Sequence, residues 1–348
     1  MRKISIPAFL IVAVLLWGCG DDNGTDGGNG NGPVETPRLV VDTLATAPTM
    51  TDANEAVWFT VDSVLVKIGG SDDYGVNNNL QEQDIVMRAI KHGDTLYVWV
   101  RWHDPTGADL WANRLRRLSG GIWEVGTLVG QDMFFIMFDG QDNGTEMADC
   151  ASMCHSPIMK TTGGGKCDVW KWMSASTMPG FMSDDLFIDL NGTNEDNVIN
   201  DYVWRANYDP GSRPEYNHVD SNEYSGVFLY LDEAVTYDPV NTGFWQVGDT
   251  IPGHVVDSTI YSSPDRNQYS RNNVRSVAYF DSTSASNLDW TWTVVFSRAL
   301  NTAFVDDVSM AALDSIQVSV AATHNHTTDP LGIPEHSGSA PFWLILEP

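Results

Sequence analysis

The strongest constraint on the fold of this chain is a succession of short apolar segments separated by Gly, Asn, Asp and Pro. VWFTVDSVLVKI, DTLYVWVRW, DMFFIMF, GVFLYL, VRSVAYF, DWTWTVVF, SIQVSVAA and FWLILE are rich in β-branched and aromatic residues, the composition and length of strands. In DTLYVWVRW, Leu96, Val98 and Val100 share one face, and Tyr97, Trp99 and Arg101 share the other. Helical periodicity is limited to a turn or two near 108–118 and 304–312. The pattern predicts an all-β fold, an antiparallel β-sandwich with few short helices, and no internal break has the composition of an interdomain linker. Between 139 and 200 the strand pattern lapses into Met, Gly, Lys and Trp. This predicts a long irregular insertion, the place where a β scaffold usually carries its function.

The N-terminus decides which chemistry the rest of the chain meets. Arg2 and Lys3 precede IPAFLIVAVLLW, which is short for a membrane span and is followed by Gly18 and Cys19. This is the layout of a secretory signal over 1–18. Its end, LLWGC, resembles a bacterial lipobox, in which the thiol of Cys19 receives a diacylglycerol; the plainer alternative is an ordinary signal with an incidental cysteine. The following GDDNGTDGGNGNGPVETP has almost nothing to bury, so 19–37 is expected to be a flexible tether. The remainder, 38–348, is expected to be one domain. The predicted location is the cell envelope, lipid-anchored at the outer membrane or at the periplasmic face of the inner membrane.

The 348 residues carry a formal charge of -27. Losing Arg2 and Lys3 with the signal leaves the mature chain more acidic still. Nucleic-acid binding is thereby disfavoured, since few cations are available to neutralise phosphates. An acidic surface serves solubility, and it also draws in a cationic redox partner or a metal ion.

With Cys19 lipidated, Cys150, Cys154 and Cys167 remain, an odd number for an exported chain whose thiols would tend to pair. Cys150 and Cys154 lie in DCASMCHSP, with His155 directly after the second. A c-type cytochrome holds haem by two thioethers in C-x-x-C-H, which places the histidine under the iron. CASMCH has these ingredients with one extra intervening residue. Spacing alone leaves three readings open: covalent haem, a disulfide between these cysteines or with Cys167, and a zinc site of Cys150, Cys154, His155 and Cys167. In DGQDNGTEMADC, Asp139, Gln141 and Asn143 resemble the opening of a calcium loop, but Cys150 stands where a bidentate Glu is expected. An Asn143-Gly144 turn explains that stretch more simply.

Several pieces in order resemble the haem-binding subunit of ethylbenzene dehydrogenase and its relatives in the dimethyl sulfoxide reductase group. They are DANEAVW, DTLYVWVRWHDPT, DMFFIMFD, CASMCH, KCDVWKWMSA, IQVSVAATHN and HSGSAPFWLILE. The resemblance implies a β-sandwich holding one haem, with methionine and lysine as axial ligands, in a subunit that relays electrons for a molybdenum partner. Two places differ here. CASMCHSPIM precedes Asp168-Val169-Trp170, and PEHSGSA, without lysine, precedes PFWLILE. On the resemblance, His155 takes the methionine's place and His336 the lysine's, with Met159 and Met153 in reserve and Cys150 and Cys154 making the link covalent. The implied haem is c type, with b type as the alternative.

His324 and His326, flanking Asn325, are the substitutes for His336 should the correspondence shift. Trp170 and Trp172 alternate on one strand and would wall a haem pocket or serve as plain core. No G-x-S-x-G elbow, Walker loop or H-E-x-x-H is present, so no catalytic set emerges. The expected function is an electron carrier that is not itself an enzyme, with a redox partner protein such as a molybdenum oxidoreductase or another cytochrome. The competing expectation is a carbohydrate- or ligand-binding β-sandwich lipoprotein without haem.

Overall fold

The computed structural model describes residues 36–68, 83–104, 114–119, 123–125, 131–140, 161, 166–175, 177–178, 183–189, 192–194, 204–206, 216–218, 229–230, 250–252, 254–256, 273–286, 289–304, 307–324 and 336–347. These all belong to the unit Thr36–Pro348. The N-terminal strands are β1 (Arg38–Thr43), β2 (Val64–Ile68), β3 (Gln83–His92), β4 (Thr95–His103), β5 (Arg114–Arg117) and β6 (Trp123–Val125). The middle of the chain forms β7 (Met133–Asp139), β8 (Cys167–Met173), β9 (Asp184–Asp189) and β10 (Gly192–Asn194). Short strands β11 (Trp204–Ala206), β12 (Tyr216–His218), β13 (Leu229–Tyr230), β14 (Thr250–Pro252) and β15 (His254–Val256) follow. The chain closes with β16 (Arg275–Asp281), β17 (Thr291–Ala299), β18 (Ser315–Thr323), β19 (His336–Gly338) and β20 (Phe342–Ile345). A 3-10 turn occupies Ala56–Thr60.

The main sheet runs β10-β9-β8-β7-β18-β20-β1-β3-β4-β17-β16, with β19 added to β18 and β2 to β3. Pairing is antiparallel except at β1, which lies parallel to both β20 and β3. Its first half, Arg38 to Val40, registers on β20, and its second half, Val41 to Thr43, registers on β3. One strand thus turns the corner between the two faces of the sandwich.

The faces meet through aromatic rings. Trp102 on β4 lies 4.8 Å from Phe134 on β7 and 5.7 Å from Trp172 on β8, centroid to centroid. Trp172 also packs edge-on against Trp292 of β17 at 4.8 Å. Such pairs add about 0.5–1.5 kcal/mol each beyond the area they bury. The alternation seen in DTLYVWVRW is real, but both of its faces are covered. Leu96, Val98 and Val100 enter the main core. Tyr97 and Trp99 pack in a second cluster with Trp58 and Ala53, where Trp99 Nε1 donates to the Ala53 carbonyl at 2.9 Å.

Four local expectations change, the first at VWFT, which lies in the 3-10 turn Ala56–Thr60 rather than in a strand, so that only Val64–Ile68 of that segment pairs. The stretch 108–118 holds strand β5 rather than a helical turn, because Arg114–Arg117 is paired on both sides, by β14 and β6. At 304–312 no helix forms among the described residues. Strands β8, β9 and β10 lie inside the region expected to be irregular. Their acidic residues disguise the apolar pattern because Asp168, Asp184 and Asp185 are themselves buried.

Candidate functional site

The described interior contains two buried polar groups, one toward each end of the strands. The first is centred on Arg298 of β17. Its Nη1 lies 2.7 Å from Asp168 Oδ2 on β8, 3.4 Å from Asp307 Oδ1 and 3.5 Å from Asp185 Oδ2 on β9. Its Nη2 donates to the Val308 carbonyl at 3.1 Å, and the Val308 N–H donates to Asp168 Oδ2 at 2.9 Å. The guanidinium also sits 5.0 Å from the centre of the Trp170 ring. One cation thus ties β8, β9 and β17 together across the sandwich.

Three carboxylates around one guanidinium carry excess negative charge, and one of them resists ionisation. Desolvation pushes the Asp168 carboxyl up to about 6, Asp307 adds to that push, and Arg298 pulls the other way. An acid whose folded pKa exceeds its ordinary value of 3.8 stabilises the fold while protonated. That contribution is complete below about pH 4 and is lost as pH rises through about 6. Urea unfolding of the wild type and of Asp168→Asn should therefore diverge across this window. The wild type loses on the order of 3 kcal/mol relative to the variant between pH 4 and 6.5; parallel curves would mean that Asp168 ionises normally.

The second group lies at the opposite strand ends. Asp104 follows β4, Asp132 precedes β7 and His324 follows β18, and all three are buried. His324 Nδ1 is 3.0 Å from Asp104 Oδ1, and Trp292 Nε1 donates to Asp132 Oδ2 at 3.2 Å. The backbones are fixed as well. The Asp104 N–H donates to the Trp290 carbonyl at 3.0 Å, and the Ser174 N–H to the Asp132 carbonyl at 2.9 Å. Thr323 Oγ1 donates to the Gln131 carbonyl at 3.2 Å. Burial holds the adjacent His103 imidazole below its ordinary pKa, against the pull of Asp104 and with a push from His324. Sequence reading singled out neither Asp104 nor Asp132. The available signal was a polar residue at the very boundary of an apolar strand in WHDPT, QDMFF and ATHN, and only the topology brings the three together.

The residues singled out from sequence are distributed as follows. Cys19, Cys150, Met153, Cys154, His155, Met159 and His326 lie outside the described residues, as do all but Asp139 of the calcium-like positions. Trp170 and Trp172 are fully enclosed, their rings packed on Phe138, Phe296, Trp102 and Trp292. Cys167 is buried at the start of β8. His336 opens β19 opposite Thr323, so its backbone neighbours the end of β18 that carries His324. A cleft of about 370 Å³ lined by Leu65, Lys67, Asp84, Pro341 and Phe342 touches none of these residues.

An all-β sandwich with an aromatic core and a C-x-x-x-C-H segment between β7 and β8 defines the class. A family model described as ethylbenzene dehydrogenase matches residues 55–330, and the chain belongs to that family. The family is associated with haem binding. Among curated proteins none matches the sequence. Similarity to solved structures includes a family 9 carbohydrate-binding module of Caldicellulosiruptor kristjanssonii in complex with cellotriose. It has 9% identity and a TM-score of 0.31 over 89% of this chain and 93% of that one. A putative carbohydrate-binding protein of Bacteroides uniformis has 9% identity and a TM-score of 0.34 over 90% and 100%.

Proposed function

We propose that this protein is an exported, lipid-anchored haem protein that relays single electrons between partners. The observation that carries the reading is the family match, which spans both faces of the sandwich and the CASMCH segment. The donor set fits the group: Cys150 and Cys154 offer thiols for covalent attachment, and His155 and His336 offer two imidazoles as axial ligands. Haem, when bound, supplies a one-electron couple at its iron. The protein's own share is to hold the ligands, exclude water and set the potential through ligand type and burial.

Chain length is compatible with this ligand pair. His336 is at the Thr323 and Met133 end of β18 and β7, whereas the segment bearing the cysteines leaves β7 at Asp139. The seven residues of β7 separate these ends by about 20 Å. The eleven residues from Asp139 to Cys150 reach up to about 36 Å when extended. Trp170 and Trp172 support the site as a rigid base from within the core. Cys19 and the acidic tether would keep the protein at a membrane, and its acidic surface would favour a cationic face on the redox partner, a molybdenum oxidoreductase or another cytochrome.

The test is spectroscopic. Protein purified from a host competent for cytochrome maturation should show a Soret band that stays with the polypeptide through acid-acetone extraction. Cys150→Ser/Cys154→Ser should make the haem extractable. His336→Met should raise the reduction potential, because a thioether favours the reduced iron. A colourless protein would sink the haem reading and favour the ligand-binding sandwich. Extractable haem in the wild type would assign b type and leave the two cysteines to each other.

A further inference from the structure

We infer that Asp104, Asp132 and His324 form a binding site for a divalent transition-metal ion of zinc type, clipping the ends of β4, β7 and β18 together. This goes beyond the haem reading and uses none of the residues assigned to the haem there; His324 enters that reading only as a substitute for His336. One ligand atom from each of the three side chains lies within 4.8 Å of the others, and all three residues are buried.

The independent pointer is His324. Its Nδ1 is buried and has no hydrogen-bond partner among the described residues, although Asp104 Oδ1 is only 3.0 Å away. The two atoms stand at hydrogen-bonding distance without hydrogen-bonding direction. Two ligands aimed at a shared ion have that relation, since oxygen and nitrogen donors at about 2.0–2.2 Å from zinc sit roughly 3–3.5 Å apart. The Asp104 and His324 pair is already at this separation. Closing the widest spacing in the set takes on the order of 1 Å, within reach of a side-chain adjustment.

The donor set selects the ion. Calcium and magnesium take oxygen ligands, and soft ions take sulfur, whereas one imidazole with two carboxylates suits a borderline divalent ion. Charge agrees, because two carboxylates brought together in a buried corner favour a cation between them. The corner is also held in advance by backbone hydrogen bonds at Asp104 and Asp132. Three protein ligands leave a fourth position for water or another donor. The ion would fasten one face of the sandwich, through Asp104, to the other, through Asp132 and His324, next to the strand that carries His336.

Titration calorimetry of the chelator-treated full-length protein with Zn2+ tests this. One equivalent should bind, with a rise in Tm. Loss of a supporting outer-shell group typically costs 10–100-fold in metal affinity, so His324→Gln, which removes a direct ligand, should weaken Zn2+ by about 100-fold or more. Cys150→Ser/Cys154→Ser should bind Zn2+ as the wild type does, which separates this corner from a cysteine-based zinc site and from the haem. Absorption of the Co2+ form in the visible range, lost in His324→Gln, provides a readout that does not depend on stability. The inference is overturned if the wild type takes up no Zn2+, if His324→Gln binds it equally, if the cysteine variant loses it, or if Ca2+ binds in preference.

Discussion

Arg298→Met should be the most damaging single substitution in the described core, costing about 3–5 kcal/mol at neutral pH. The guanidinium is almost completely buried and lies within 3.5 Å of three carboxylates. Methionine fills part of the volume but leaves Asp168, Asp185 and Asp307 facing one another without a cation. Removing one partner of a buried ion pair costs more than the pair itself contributes, because the remaining charges stay desolvated. The sign of the pH dependence follows. Without Arg298 the Asp168 carboxyl loses the cation that opposes its rise above 3.8, so the folded variant holds a proton that its unfolded chain has released. Its deficit should be greatest above pH 7 and shrink toward pH 4. Arg298→Lys should be milder, since it keeps the charge but loses the fork that reaches both Asp168 and the Val308 carbonyl. Urea midpoints at pH 4.5 and 7.5 decide the matter. An Arg298→Met deficit that is equal at both values would show that the three carboxylates do not share the load.

This network also explains what was and was not legible in the sequence. The strands whose apolar residues alternate or run together, β4, β7, β17, β18 and β20, are apparent from pattern alone. β3 is equally central but escapes notice: Ile85, Met87 and Ala89 point into the core while Asp84, Arg88 and Lys91 break its apolar texture. β9 escapes for a related reason, since Asp184 and Asp185 look like surface residues until their burial and the Arg298 beside Asp185 are known. The parallel placement of β1 has no local signature, because it depends on which strands its two halves meet. The same holds for the corner of Asp104, Asp132 and His324, whose members are separated by 28 and 192 positions. The proposed haem ligands present the opposite case. Spacing drew attention to Cys150, Cys154 and His155, but His336 had no signal of its own beyond its place before the last strand.

Trp102→Ala is expected to be the second large loss, about 3–5 kcal/mol. Trp102 is 1% exposed, and its ring meets Phe134 at 4.8 Å, Trp172 at 5.7 Å and Trp292 at 6.3 Å. Those neighbours come from three different strands on both faces, so no single side chain can move in to fill the space. The cost is therefore both transfer of the indole and an open cavity. Phe59→Ala provides the control: Phe59 is 55% exposed, and despite contacts with Trp99 and Arg88 its loss should cost no more than about 1 kcal/mol. The two variants also differ in reach. Asp104 lies two residues beyond Trp102, and Asp132 two residues before Phe134, so slack between these rings is transmitted directly to the buried corner. Trp102→Ala should consequently weaken Zn2+ binding at a temperature where the variant is still folded, whereas Phe59→Ala should leave it unchanged. Equal unfolding midpoints for the two variants would mean that the sandwich repacks around a missing indole, and that the ring cluster does not hold its two faces in register.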